Sequence, residues 1–378
     1  MTLSPEHELF RDSVRAFVAA EIAPHVNAWD EANTFPRELY RRAAQIGLLG
    51  LGYPEEYGGT PADGWFRLIA TEEIARAGSG GLMASLFSHN IGLPPIVAHA
   101  GEALKRRVIP EVLAGAKIAA LAITEPSGGS DVARLRCSAR REGDHWVVDG
   151  DKTFITSGMR ADWITLAVRT GSKGASGISL LALPGDTPGL TRTPLAKMGW
   201  WCSDTAQLHF ENCRVPADHL IGAENAGFPM IMQNFNGERL LMAAIALTFA
   251  QVCFDEALAW ARQRQTFGVA LVEHQVTRHK LMDMRMRLAS TRAWLHAMVT
   301  RQEALDCGAE WVAELCLLKN HATQTMQWCA DAAVQILGGM GFMRGTKSER
   351  IYREVKVMMI GGGAEEIMKE LAARQLGI

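Results

Sequence analysis

Five stretches of this chain carry residue types that could hold or transform a ligand. Ile-Thr-Glu-Pro-Ser-Gly-Gly-Ser-Asp at 123–131 joins hydroxyls to a Gly-Gly turn. Glycines let backbone approach a ligand closely and aim N–H groups at it. The same stretch also reads as an ordinary Pro-Ser-Gly-Gly turn. Lys-Thr-Phe-Ile-Thr-Ser-Gly at 152–158 offers an aromatic able to cover a ring, or simply a strand with Phe154 and Ile155 on alternate faces. Arg-Gln-Thr-Phe-Gly at 264–268 offers a planar guanidinium that matches phosphate oxygens, although a solvated Arg at a helix end looks the same. Gln-Ile-Leu-Gly-Gly-Met-Gly at 335–341 and Gly-Gly-Gly-Ala-Glu-Glu-Ile at 361–367 are further glycine-rich turns. A carboxylate stands beside a cation at Glu238 and Arg239; by itself Glu238 reads as a first-turn helix Glu favoured by the dipole.

Other chemistries find no footing. Gly338–Gly341 follows no strand and continues into no G-x-G-x-x-G, and there is no Walker motif, so a nicotinamide cofactor is disfavoured. No His, Cys, Asp or Glu cluster has metal spacing. Glu pairs at 55–56, 72–73 and 365–366 are adjacent, so on a helix they do not face one site. His89, before a Pro pair, reads as a packed or capping residue, and Trp200 and Trp201 read as packing.

The elements that must position these residues follow from patterning. At 378 residues the chain is long enough for two or three domains. Net charge is −2, which argues against nucleic-acid wrapping or an anionic membrane partner. No uninterrupted apolar run approaches the roughly 18 residues of a membrane span, and Met-Thr-Leu-Ser-Pro-Glu lacks the marks of a signal peptide, so a cytoplasmic location is expected. Seven cysteines at scattered spacings, with no C-x-x-C, read as reduced and mostly buried.

Ser4 and Pro5 form an N-cap and first-turn pair. Leu9, Phe10, Val14, Phe17, Val18 and Ile22 then recur at helical spacing until Pro24. Further helical patterns cover about 65–77 and 102–114. Near 117 the texture changes to short β-rich runs at His145–Asp149, Trp163–Arg169, Ile178–Leu183 and Gln207–Phe210, parted by Gly and Pro, which suggests a small barrel or sandwich. After about 225 long helices return at Arg239–Arg262, 273–306, 309–336 and 348–372, which predicts an antiparallel bundle. The fold class is α+β: a helical domain over 1–116, a β domain over 117–224 and a helical bundle over 225–378.

This order and these motifs together resemble the acyl-CoA dehydrogenase family over essentially the whole chain. The resemblance implies FAD as cofactor. It assigns Ile123, Thr124, Gly129, Ser130, Phe154 and Thr156 to the flavin, with Phe154 covering the ring and Thr156 bonding N5. Many members carry Trp at the Phe154 position, and a small residue at that of Arg134. Arg264, Thr266, Phe267, Leu271 and His274 would receive the pyrophosphate and adenine of a neighbouring subunit's cofactor. Gln335, Gly338 and Gly339 would hold the adenosine half from the partner chain. Glu366 would reach the cofactor, with Glu365 exposed.

Many members carry a catalytic glutamate where this chain has Gly362. A subgroup that includes long-chain and isovaleryl-type enzymes places it instead on the first long helix of the C-terminal bundle. Glu238, 26 residues before Arg264, matches that position. The resemblance therefore implies that Glu238 removes the substrate α-proton and Arg239 accompanies it at the substrate. Gly362 would polarise the thioester carbonyl through its N–H, and Ser130 would also touch substrate. The implied reaction is α,β-desaturation of an acyl-CoA to the trans-2-enoyl-CoA. Electrons would pass to an electron-transfer flavoprotein, from a homotetramer built as a dimer of dimers. Alternatives are an acyl oxidase or flavin monooxygenase on the same fold, a desaturase of carrier-protein-bound acyl groups, or a relative that is non-catalytic or binds nucleic acid.

Overall fold

The computed structural model describes residues 3–378. The chain enters as helices. Ser4 caps α1 (Pro5–Phe17) by accepting from the His7 N–H, and Pro5 occupies the first turn. A π-helical turn at Val18–Ile22 continues it. Val14, Phe17, Val18 and Ile22 are buried as their spacing predicts, but Leu9 is 71% exposed. The α1 stripe packs on α2 (Gly64–Ala75), whose own far side meets the C-terminal bundle. Short helices between Gly80 and His99 and then α3 (Glu102–Leu113) complete this part.

Eight strands follow: β1 (Ala119–Ala122), β2 (Ser138–Glu142), β3 (His145–Ile155), β4 (Trp163–Arg169), β5 (Ile178–Pro184), β6 (Leu190–Pro194), β7 (Ala206–Pro216) and β8 (Leu220–Ile221). They form one sheet in the order β6-β7-β3-β2-β4-β5-β8, with β1 added parallel to β4. Alternation sorts its faces. On β4, Ile164, Leu166 and Val168 join Trp146, Val148 and Phe210 in an inner core, while Trp163 and Ala167 face α3 and the Pro94–His99 helix. Between Lys152↔Leu208 and Ile155↔Ala206 the register of β3 slips by one residue, a β-bulge that includes Phe154.

The last part is a bundle of α4 (Gly227–Gln263), α5 (Gln275–Glu303), α6 (Ala309–Leu337), α7 (Lys347–Ile360) and α8 (Glu365–Gln375). The helix–strand–helix organisation is as expected, with two corrections. The helix expected from Arg239 begins at Gly227, so Glu238 lies three turns inside α4 rather than in its first turn. The helix expected over 348–372 is two helices, broken at Gly361–Ala364, where Gly362 and Gly363 take φ of +64° and +114°. Helix α4 is long and apolar enough to cross a membrane, but 72% of its most apolar window is buried inside the bundle. Cys307 is exposed and the other six cysteines are buried, all as free thiols.

Candidate active site

The break between α7 and α8 brings Gly362 against α4. A Cβ built on Gly362 would stand 3.9 Å from the Glu238 carboxyl carbon and 2.6 Å from the Met242 sulfur. Glu238 and Met242 are one helical turn apart, so both present to this turn. Two positions that are 124 apart in sequence thus share one place in space. Beside them the buried Arg239 donates from Nε to the Gly362 carbonyl at 3.1 Å and from Nη1 to Asn236 Oδ1 at 3.0 Å.

Burial is the largest influence on the half-buried Glu238 and raises its pKa; Arg239 and then Lys319 oppose it. Burial lowers the pKa of Arg239, against smaller support from Cys316 and Glu238. Such a carboxyl holds its proton to higher pH than a free one, which suits exchange with a weakly acidic C–H. Lys319 was not legible in the sequence as a member of this group. It sits among apolar neighbours on α6, and only its place on a buried helix face signals that it must have internal partners. Glu365 is half-buried, not exposed: it accepts from Gln324 Nε2 at 2.8 Å and Lys369 Nζ at 2.6 Å. Glu366 is the exposed member of the pair.

A second group lies on the β part. The Glu125 carboxylate accepts from the Arg136 and Cys137 N–H groups at 2.7 and 2.8 Å and from the buried Lys152 Nζ at 2.9 Å. Lys152 also donates to the Ile123 carbonyl, and the Thr153 N–H bonds the Thr124 carbonyl. These bonds lock Ile123 and Thr124 beside the β3 bulge. Burial is the largest single influence and acts upward, but the charge and hydrogen bond of Lys152 and the two backbone N–H groups together outweigh it and hold Glu125 below its usual pKa. At the bulge Phe154 adopts φ +60° and turns its ring outward, 68% exposed, while Thr156 is half-buried. Simple alternation along a regular strand does not describe this segment. Gly129 and Ser130 are exposed, as is Arg134, which leans on Asp131 at 3.9 Å.

A third group follows α4. Thr266 Oγ1 lies 2.9 Å from His274 Nε2, the His274 ring stands edge-on to Phe267, and the Leu271 N–H bonds the Arg264 carbonyl. Phe267 is 99% exposed, at φ +52°. Gln335, Gly338 and Gly339 form a fourth, exposed group at the end of α6; a Cβ on either glycine would meet nothing within 4 Å. Among the described residues no hydrogen bond joins the third or fourth group to the first two.

These groups fit a large flat cofactor. Two backbone rims approach without side chains in the way, two aromatic rings stand open, and Arg264 and the glycine turns supply phosphate-type donors. A cavity of about 360 Å³ lies between the N-terminal helices and α4. Tyr53, Phe87, Pro94, Leu240, Leu241 and Ala244 line it, and Gly237, next to Glu238, opens onto it. His89, by contrast, is packed: it bonds the Leu49 carbonyl, and burial lowers its pKa to about 4. Trp201 is held between Arg344 and Arg353. Among the described residues no cluster could hold a metal ion.

A helical–β–helical flavoenzyme architecture with a carboxyl and a glycine turn facing one space defines a class, and comparison with known proteins gives the family. Residues 4–116, 120–213 and 225–377 match the acyl-CoA dehydrogenase N-terminal, middle and C-terminal domains in turn. The chain is 36% identical to the mouse mitochondrial long-chain specific acyl-CoA dehydrogenase, over 99% of this chain and 87% of that one. Its fold overlays a probable acyl-CoA dehydrogenase of Mycobacterium abscessus with a TM-score of 0.96 at 46% identity, over 99% of both chains. A glutaryl-CoA dehydrogenase of Mycobacterium smegmatis in complex with FADH2 overlays with a TM-score of 0.91 at 26% identity, over 99% of this chain and 95% of that one. The chain belongs to the acyl-CoA dehydrogenase family, whose members are flavin-dependent oxidoreductases that use FAD to dehydrogenate acyl-CoA thioesters.

Proposed function

We propose that this enzyme converts an acyl-CoA to its trans-2-enoyl-CoA with Glu238 as the base that removes the α-proton. The observation that carries the reading is the convergence of Glu238 on Gly362. The turn that lacks a carboxylate is faced, across a side chain's width, by one that burial has tuned upward. In this reading the Glu238 carboxylate takes the α-proton and stays beside Arg239, which steadies its charge. The Gly362 N–H donates to the thioester carbonyl, where negative charge develops as the α-proton leaves; such a donor acts on the transition state more than on the ground state. The apolar cavity takes the acyl chain and keeps water from the carboxyl. When bound, FAD supplies at N5 the two-electron acceptor for the hydrogen that leaves the β-carbon. Ile123, Thr124, Gly129, Ser130, Phe154 and Thr156 would hold its flavin end.

The third and fourth groups, exposed and unlinked to the first two, support a site completed by a second copy of the chain. Arg264, Thr266, Phe267, Leu271 and His274, together with Gln335, Gly338 and Gly339, would hold the adenosine end of a neighbouring protomer's cofactor, in a homotetramer. The electron acceptor would be an electron-transfer flavoprotein.

The test is anaerobic flavin bleaching by a panel of acyl-CoAs, with Glu238→Gln alongside. The wild type is expected to bleach with at least one chain length, and the variant to bind FAD yet bleach at least about 100-fold more slowly, in line with loss of a general base. Equal bleaching removes Glu238 from the role. No bleaching of the FAD-loaded wild type by any acyl-CoA would redirect the search to carrier-protein thioesters.

A further inference from the structure

We propose that Lys319 is a positioning residue that pins the Gly361–Gly363 turn, so that the Gly362 N–H is presented to the substrate carbonyl. The inference rests on the role given to Gly362 above. Three consecutive glycines have little conformational preference of their own, and two of these three adopt positive φ. Something outside the turn must therefore fix its peptide planes. Lys319 on α6 is completely buried and donates from Nζ to the Met359 carbonyl at 3.1 Å and the Gly363 carbonyl at 2.8 Å. Its neighbour Asn320 donates from Nδ2 to the Glu365 carbonyl at 2.9 Å. From the other side Arg239 holds the Gly362 carbonyl.

Carbonyls on both flanks of the Gly361–Gly362 peptide are thus held by side chains of α4 and α6. That peptide carries the Gly362 N–H, and no hydrogen bond among the described residues uses it. A buried ammonium is costly unless bonded and compensated. Two carbonyls bond this one, and Glu238 and Glu365 balance it, while Arg239 opposes it. Burial nevertheless lowers the Lys319 pKa to about 8, so it is largely charged at neutral pH. One ammonium therefore orders the donor turn and stabilises the ionised form of Glu238.

The experiment reads the carbonyl stretch of trans-2-dodecenoyl-CoA, labelled with carbon-13 at the thioester carbonyl, bound to the oxidised FAD-loaded enzyme, by Raman or infrared difference spectroscopy. No turnover is involved. Wild type is expected to move the stretch to lower frequency. Lys319→Met is expected to bind FAD and ligand but to lose most of that downshift, and to reduce flavin with acyl-CoA about 10-fold or more slowly. A Lys319→Met enzyme with the full downshift overturns the assignment even if turnover falls, because a rate lost while polarisation is spared has its cause outside the donor turn. Wild type without a downshift overturns the Gly362 reading and the Lys319 inference with it. Lys319→Gln puts a shorter, uncharged amide with two N–H donors in place of the ammonium and is measured in parallel, so that poor folding of the Met variant decides nothing by itself. A partial downshift there supports the ammonium as the anchor of the turn, and a full one contradicts it.

Discussion

At Glu238 three influences meet on one carboxyl: burial raises its pKa, and the charges of Arg239 and Lys319 lower it by less. The net direction is upward, and only the ionised form can take a proton. The rate of anaerobic flavin reduction should therefore rise with pH, through an inflection above the ordinary carboxylate range. Stopped-flow reduction against pH measures it, and a rate already flat at the pH of an ordinary carboxylate would place the base elsewhere. At Gly362 the constraint is steric. An L side chain there meets an unfavourable left-handed backbone, costing about 1–2 kcal/mol, and the Met242 sulfur 2.6 Å from its Cβ. Gly362→Ala should lower stability by at least that amount, and trimming Met242 to Val should recover only the contact portion; urea unfolding at equal FAD loading separates the two. The family resemblance made the Glu238 and Gly362 pair legible in sequence, since it implies a carboxylate at one of the two positions and this chain carries it at Glu238. Lys319 was not legible, because a lysine within an apolar helix gives no hint of which carbonyls it will find across the bundle.

Helix α4 shows what an element adds. Its cavity face runs through Met230, Gln233, Asn234, Gly237, Leu241 and Ala244, and the face beside it carries Glu238 and Met242 to the glycine turn. One helix thereby sets acyl room and base position together, and Gly237 is where they adjoin. A Cβ at Gly237 would meet nothing within 4 Å. Gly237→Ala should raise stability by about 1 kcal/mol, the helix-interior difference between the two residues. Gly237→Phe should fill the cavity and move the preferred substrate toward shorter acyl chains, read as a changed ranking of bleaching rates. An unchanged ranking would mean that the chain lies elsewhere. Periodicity made the helices legible but not their ends. The α4 start was missed because Gly227-Phe228-Pro229 looks like a loop, although a proline is tolerated in a first turn. The α7–α8 break was missed because apolar spacing resumes at Met368 after Met358 and Met359, and periodicity cannot show three glycines taking up a turn between them. The β3 bulge was hidden likewise, since one extra residue in a strand leaves the composition unchanged.

Across the whole molecule, Glu354 of α7 ties the three parts together. Its carboxyl is fully buried and accepts from the Gly80 N–H of the N-terminal part at 2.7 Å and from the Trp200 N–H of the β part at 3.2 Å. Burial raises its pKa from 4.5 to about 7; the Gly80 hydrogen bond and the charges of Arg350 and Arg353 act downward, and Asp30 acts upward. Between those two values the folded protein holds a proton that the unfolded chain has released. The stabilising contribution is therefore complete below the unfolded pKa and lost as pH rises through about 7, a span worth roughly 3 kcal/mol. Glu354→Gln cannot titrate. It keeps an oxygen for the Gly80 N–H but turns an amide NH2 toward the Trp200 N–H, so it should be less stable at low pH by about 1–2 kcal/mol, the cost of one unsatisfied buried donor. The gap between wild type and variant should then close or reverse as pH climbs from about 5 to about 8, while the remaining pH dependence stays common to both. Urea unfolding of the FAD-loaded proteins across that range tests it. A gap that stays constant would mean that Glu354 remains ionised throughout, with Arg350 and Arg353 outweighing burial. The junction would then be an ion-paired joint, held alike at acid and neutral pH.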